Sequence, residues 1–438
     1  MFDPQHLQQR LDTLAGVERF IVGFSGGLDS TVLLHALMKL SPRQAVAAIH
    51  VNHQLQRDAD EWAEHCRNVA GEWGIDLEIC DVAVQTSGEG PEAAARNARY
   101  AAFAERMSAG DCLLTAHHQD DQAETLLLNL MRGSGPSGLA AMREVRPFAK
   151  GQLARPLLEV SRKSLQDYAT HHKLEWIDDA SNLDRSFDRN YMRHEILPAL
   201  SARWPAAVEK VARSASLAAS TSDLLGELAD LDLGEATAEP GRVPLQSLIP
   251  LNPARQANAL RRAAELADLA PMPANALNEI LTSVVPARED AAPLVRWADC
   301  EARRYRDVLF LMPALDVEPP ESLVLSTDKP IQDLGPLGTL VLEPAAGSEQ
   351  QIDAGCLSET LEVRFRQGGE VLQPVDRGHS HKLKKLFQEA GVVPWMRDKI
   401  PLLYSGDELV AVAGMWVDAR HTGDPGFRLI WRNSPPLR

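Results

Sequence analysis

A chain of 438 residues has room for two to four domains of ~100–200 residues, and 45% hydrophobic with 24% charged residues excludes a disordered or collagen-like polymer. No apolar run reaches the ~20 residues that span a bilayer, and the opening MFDPQHLQQR carries no secretory pattern, so the cytoplasm is the expected compartment. The net charge of -16 speaks against nucleic acid as a partner, yet residues 131–210 and 361–400 each hold a small basic excess, and screening over about 8–10 Å lets such stretches act locally.

The first 130 residues alternate strand and helix. Strands are expected at 19–24 (RFIVGF), 45–51, 77–84 and 112–116, and helices at 28–40, 60–73, 92–107 and 122–131. This spacing predicts an α/β fold built on a doubly wound parallel sheet, with ligands beyond the carboxyl ends of its strands. A Gly-rich break at 133–138 (GSGPSG) follows, then a helix at 161–173 and a polar loop at 178–190. From about 210 to 280 Ala and Leu recur at helical spacing. Short strands are expected over 300–350, and 360–438 reads as a compact α+β segment around a basic helix at 381–390. The resulting division is a catalytic domain at 1–210, a mainly helical middle domain at 211–350 and a C-terminal domain at 360–438.

Between the first strand and the first helix of this alternation, residues 25–30 read SGGLDS. The glycines allow a sharp turn that gathers backbone N–H groups at a helix N-terminus, where an anion is favoured. Ser25 and Ser30 add hydroxyl donors. Asp29 would repel a bare phosphate and fits only with a cation such as Mg²⁺ between carboxylate and phosphates. The stretch lacks the spacing and lysine of a Walker A loop. Residues 23–27 also fit GxSxG, the nucleophile elbow of serine hydrolases, but no earlier strand is expected to supply the second oxyanion-hole donor. A third reading is the pyrophosphate-binding loop (PP-loop) of the N-type ATP pyrophosphatases, whose SGGxDS signature is matched at every fixed position, and a purely structural Gly-rich turn is the alternative.

A second cluster, TAHHQDDQAET at 115–125, occupies the same position after a later strand. His117, Asp120, Asp121 and Glu124 are packed closely enough to need a compensating cation, and could hold a metal, bind an ammonium group or act as acid and base. A single Asp there would serve equally as a helix cap.

The ordered set SGGLDS, EAAARNARY (92–100), AHHQDDQAET (116–125), MRGSGPSGL (131–139), ARPLL (154–158), WIDDASN (176–182), RNYMRHEILP (189–198), RQGGE (366–370) and HKLKKLFQEAGVVPWMRD (381–398) resembles the tRNA(Ile)-lysidine synthetase family. That resemblance implies a cytoplasmic ligase that uses ATP and L-lysine to convert cytidine 34 of a CAU-anticodon tRNA(Ile) into lysidine. The reaction passes through an adenylated cytidine, releases pyrophosphate and AMP, and changes decoding from Met to Ile. It implies ATP at Ser25, Gly26, Gly27, Leu28, Asp29 and Ser30, with Mg²⁺ at Asp29. Catalytic roles fall to Asp29, His117, Asp121, Arg96 and Arg132, and the lysine substrate to Asp120, Asp121 and Glu124. For tRNA the candidates are Arg185, Arg189, Arg193 and Arg203, and in the C-terminal segment Arg364, Arg366, His381, Lys382, Lys384 and Lys385. Related tRNA-thiolating enzymes need paired cysteines; the five here form no CxxC pair, which also argues against a disulfide framework or a metal ribbon. No membrane partner is expected, and the sequence leaves a homodimer open.

Overall fold

The computed structural model describes residues 2–40, 42–54, 58–83, 91–179, 183–288, 291–320, 323–326, 329–345, 351–355 and 361–437. Residue 84 of the expected third strand and the end of the WIDDASN motif (180–182) lie outside them. The chain forms two compact units, Met1–Glu227 and Leu228–Arg438.

In the first unit β1 (Arg19–Gly23), β2 (Ala45–Asn52), β3 (Asp76–Asp81), β4 (Asp111–Leu114), β5 (Val145–Phe148) and β6 (Gly151–Ala154) form one sheet in the order β3-β2-β1-β4-β6-β5. All neighbours run parallel except β5, which folds back on β6 as an edge hairpin. Alternation along the strands divides the core. Phe20, Val22, Cys112 and Leu114 face one layer with Leu33, Leu37 and Tyr168, while Ile21, Leu113 and Leu153 face the other with Phe103 and Met107. The sheet is thus buried on both faces, as its strand–helix alternation requires.

The helices α1 (Pro4–Asp12), α2 (Leu28–Leu40), α3 (Ala59–Trp73), α4 (Pro91–Arg106) and α5 (Gln119–Met131) connect or flank these strands. α5 starts at 119 rather than the expected 122, because the Asp121 carboxylate accepts the His118 backbone N–H at 3.0 Å and caps the first turn. After the short α6 (Pro136–Leu139) come α7 (Arg162–His171) and a continuous helical stretch. It comprises α8 (Asp188–Tyr191), a π-helical turn (Met192–Ile196) and α9 (Leu197–Arg203), so the expected polar loop already ends in helix. α10 (Ala207–Leu233) follows.

In the second unit, helices Pro253–Leu266 and Ala274–Glu279 pack with a four-stranded antiparallel sheet around Leu248, Leu260, Ile280 and Leu309. The strand Thr339–Ala345 pairs along its length with Gly426–Arg432, so the last sheet draws on residues well before 360. The basic helix is short, Leu383–Glu389, and buries Leu383, Leu386 and Phe387 while its lysines face outward. Among the described residues no helix is long and apolar enough to cross a membrane.

The placement of β4 beside β6 rests on a close backbone approach. A Cβ at Gly151 would collide with the Asp111 carbonyl oxygen. Gly151→Ala is expected to lower the unfolding free energy by about 2 kcal/mol, read from urea denaturation, and an unchanged midpoint would contradict the assigned strand contact.

Candidate active site

The strand order reverses between β1 and β4, the topological switch point of a doubly wound sheet. The SGGLDS loop leaves β1 and the His-Asp cluster leaves β4, so the two motifs emerge side by side although some 90 residues separate them.

The first loop is held by its own hydroxyls. Ser30 Oγ accepts the Ser25 N–H at 3.2 Å and donates to the Gly27 carbonyl at 3.1 Å, while Ser25 Oγ accepts the Gly27 N–H at 3.3 Å. The two hydroxyls are 3.0 Å apart. Gly26 sits at φ +78°, and a Cβ there would meet Cys66 Sγ at 2.9 Å and Ile177 Cδ1 at 3.1 Å, so only glycine fits. Ser25 bonds no imidazole among the described residues, which leaves the hydrolase reading without a base. Ser25 is exposed, Gly26, Leu28 and Ser30 are buried, and Gly27 and Asp29 lie between.

His118 joins the two loops. Its ring is buried, with Nε2 3.5 Å from Asp29 Oδ2 and 3.4 Å from Asp121 Oδ2, and Nδ1 3.7 Å from Asp120 Oδ2. Burial lowers its proton affinity, but Asp121, Asp29 and Asp120 outweigh that and raise the pKa above the ordinary histidine value. Asp121 is the counterpart. Burial raises its pKa, and His118, Arg189, His117 and Arg193 together bring it well below the carboxylate range. The neighbouring His117 bonds Thr115 Oγ1 at 2.9 Å, and burial, with Arg155, Arg189 and Arg96 adding positive potential, pushes it down to about 3. Of two adjacent histidines, then, one is a neutral imidazole and the other sits among carboxylates. The sequence singles out His117; His118 is the residue it misses, and its signals were its place just before α5 and its i, i+3 relation to Asp121.

Two arginines compensate the acidic cluster. Glu124, with no exposed surface, accepts Arg189 Nε at 2.9 Å and Arg193 Nε at 2.6 Å, and Asp121 Oδ1 accepts Arg189 Nη2 and Arg193 Nη2 at 2.9 and 3.0 Å. They lie one turn apart where α8 enters the π turn, so both guanidiniums reach α5 from the same face. Asp120 accepts the Arg162 N–H at 2.9 Å at the start of α7. Arg155, also missed in sequence, is 3% exposed and donates to the Arg143 carbonyl.

The other expected residues are distributed unevenly. Arg96 is exposed on α4, 5.5 Å from the Tyr100 ring, and near enough to influence His117. Arg132 caps the far end of α5, about 20 Å along the helix from His118 at ~1.5 Å per residue. Arg185 pairs with Glu195 at 2.5 Å, and Arg203 lies over the exposed Trp204. In the second unit Arg364 bonds Glu362 and the Gly406 carbonyl, and Arg366 bonds Asp398. His381 stacks on His379, and Lys385 pairs with Glu389 at 3.8 Å. Lys382 and Lys384 are exposed and have no charged partner among the described residues.

Asp29 Oδ1 is buried with no hydrogen-bond partner, a hard oxygen turned inward beside a phosphate-type loop. This suits Mg²⁺, which binds through one or two carboxylates together with substrate phosphates; no cage of three or more protein ligands occurs among the described residues.

The glycine loop on β1, the parallel sheet and the switch-point cluster define a PP-loop ATP-binding domain. A PP-loop domain family matches residues 4–200, a TilS substrate-binding domain matches 244–310, and a TilS C-terminal domain matches 361–431. The chain is 42% identical to the tRNA(Ile)-lysidine synthase of Alkalilimnicola ehrlichii over 99% of its own length and 98% of that protein's. It is 40% identical to the enzyme of that name from Yersinia pestis (95% and 94% covered) and 42% to that from Shigella flexneri (95% and 96%). The chain belongs to the tRNA(Ile)-lysidine synthase family and is an ATP-binding enzyme of tRNA modification.

Glu124→Ala would leave two half-buried guanidiniums facing each other, and is expected to cost about 3 kcal/mol in urea unfolding; a loss below about 1 kcal/mol would contradict the network. His117 gives a pH signature. The unfolded chain takes a proton near pH ~6.5 that the folded ring refuses until about 3. Stability is therefore lost as pH falls across that window, and His117→Asn, which has no proton to take, should lose less of it. Parallel stability–pH curves for the two proteins would contradict this.

Proposed function

We propose that this chain ligates L-lysine to C2 of cytidine 34 in the CAU anticodon of tRNA(Ile), forming lysidine and changing decoding from Met to Ile. The observation that carries the reading is the convergence of the Ser25–Ser30 loop and the His118–Asp121 cluster at one switch point, on a chain that parallels enzymes named tRNA(Ile)-lysidine synthase along nearly its whole length.

In the first step the C2 carbonyl oxygen attacks the α-phosphate of ATP and pyrophosphate leaves. The N–H groups of the loop and the hydroxyls of Ser25 and Ser30 hold the departing pyrophosphate, a preorganised electrostatic contribution of the kind that dominates phosphoryl chemistry. Asp29 would hold Mg²⁺, which would neutralise charge on the phosphates. In the second step the lysine ε-amine attacks C2 and displaces AMP.

Lysine, at pKa ~10.4, must lose a proton first. A ring depressed to about 3 is a poor acceptor, so a carboxylate takes this role rather than His117. Asp120 is the favoured lysine contact, because only one of its oxygens is committed, to Arg162 N–H. Asp121 and Glu124 add negative potential behind it, with Arg189 and Arg193 fixing their orientation. Arg96 is placed to meet negative charge on the adenylated intermediate. Arg132 is too far along α5 for that role and is assigned to the tRNA backbone with Arg185 and Arg203.

Residues 1–210 act as the catalytic domain. The middle region (211–350) and the C-terminal region (360–438), with Lys382, Lys384 and Lys385 outermost, hold the body of the tRNA in the cytoplasm. Radiolabelled lysine with ATP should enter a tRNA(Ile) transcript bearing C34 and not its U34 counterpart, and Asp29→Ala should abolish incorporation with the fold intact. Equal labelling of both transcripts, or an active Asp29→Ala enzyme, would overturn the reading.

A further inference from the structure

Aromatic side chains are scarce in this protein, and nearly all are buried or half-buried. Of the eight tryptophans, five tyrosines and ten phenylalanines, only Tyr191 (48%) and Trp204 (58%) are exposed. Tyr191 lies in the helical stretch 188–203 and Trp204 caps its end, the element that sends Arg189 and Arg193 onto Asp121 and Glu124.

Trp204 is not at a frayed end. Its N–H donates to the Leu200 carbonyl at 2.7 Å and its carbonyl accepts the Ala207 N–H at 2.9 Å, so the corner between α9 and α10 is fixed on both sides of the residue. The Arg203 guanidinium lies 5.8 Å from the ring centroid. Its indole N–H has no hydrogen-bond partner among the described residues. Tyr191 stands between the two site arginines in sequence, where α8 meets the π turn.

We propose that Tyr191 and Trp204 are stacking platforms for unpaired nucleobases of the RNA substrate, on either side of the cytidine that enters the site. This rests on the function proposed above. Single-stranded RNA is recognised by stacking splayed bases on aromatic rings and arginine planes, and a cation beside the ring adds attraction for the phosphates. The Arg203 cation beside the Trp204 ring favours a polyanion over an apolar protein surface as its partner. From Arg193 to Trp204 the helix runs about 16 Å at ~1.5 Å per residue, a span that a few unstacked nucleotides bridge. A base reaching the site must leave its stack, and rings that accept its neighbours offset that loss.

The test compares Trp204→Ala, Trp204→Phe and Tyr191→Ala, each checked for an unchanged melting temperature, with the wild-type chain. Affinity for a C34 tRNA(Ile) transcript is measured without turnover, alongside KM for tRNA, ATP and lysine. Each alanine variant should weaken tRNA binding about tenfold and raise KM for tRNA alike, with KM for ATP and lysine unmoved, and Trp204→Phe should recover most of the loss. Wild-type tRNA affinity in both alanine variants, or no recovery with phenylalanine, would overturn the proposal. Because binding is read without turnover, a wild-type enzyme that binds the transcript but does not incorporate lysine would refute the proposed reaction and leave the stacking result to stand by itself.

Discussion

The His118 imidazole, lodged between Asp29 of one loop and Asp121 of the other, is the contact on which the site depends. Without it the carboxylates of Asp29 on α2 and Asp121 on α5 would face each other, and like charges so placed repel. With it, the end of β1 and the end of β4 become a single electrostatic unit. Everything upstream serves that juxtaposition: the parallel pairing of Arg19–Val22 with Asp111–Leu114, the tight turn at Gly26, and the start of α5 one residue after His118.

The charge balance then extends outward in layers. Asp121 and Glu124 are buried acids, and the α8–π segment supplies two guanidiniums that bond both. A buried ion cluster of this kind adds little net stability, but losing one member is costly, so it fixes geometry more than it holds the fold together. It also leaves few carboxylate oxygens uncommitted: Asp29 Oδ1, turned inward, and one oxygen of Asp120.

Much of this was legible in the sequence, and the limits have physical causes. The β1–α2 and β4–α5 motifs stand out because glycine at a strand end and polar residues at a helix start are local signals. The hairpin Val145–Phe148 with Gly151–Ala154 does not, since its edge strand exposes Val145 and Arg146 and includes Pro147. His117 and His118 look equivalent in a string of letters; which is buried among carboxylates depends on where α5 begins. Arg189 and Arg193 read as generic basic residues because their partners lie 65 to 72 positions away. For the same reason the pairing of Thr339–Ala345 with Gly426–Arg432 escapes a local reading.

The central claim is that the Ser25–Ser30 turn grips the phosphates of ATP, with the second loop completing the site through His118. A crystal structure of the protein with Mg²⁺ and an ATP analogue that cannot be cleaved between its α- and β-phosphates tests it most directly. The account predicts the β- and γ-phosphates against the backbone N–H groups of Gly26 to Ser30 and a metal bound through Asp29 Oδ1. Ordered nucleotide elsewhere on the protein, with that turn empty, would contradict it.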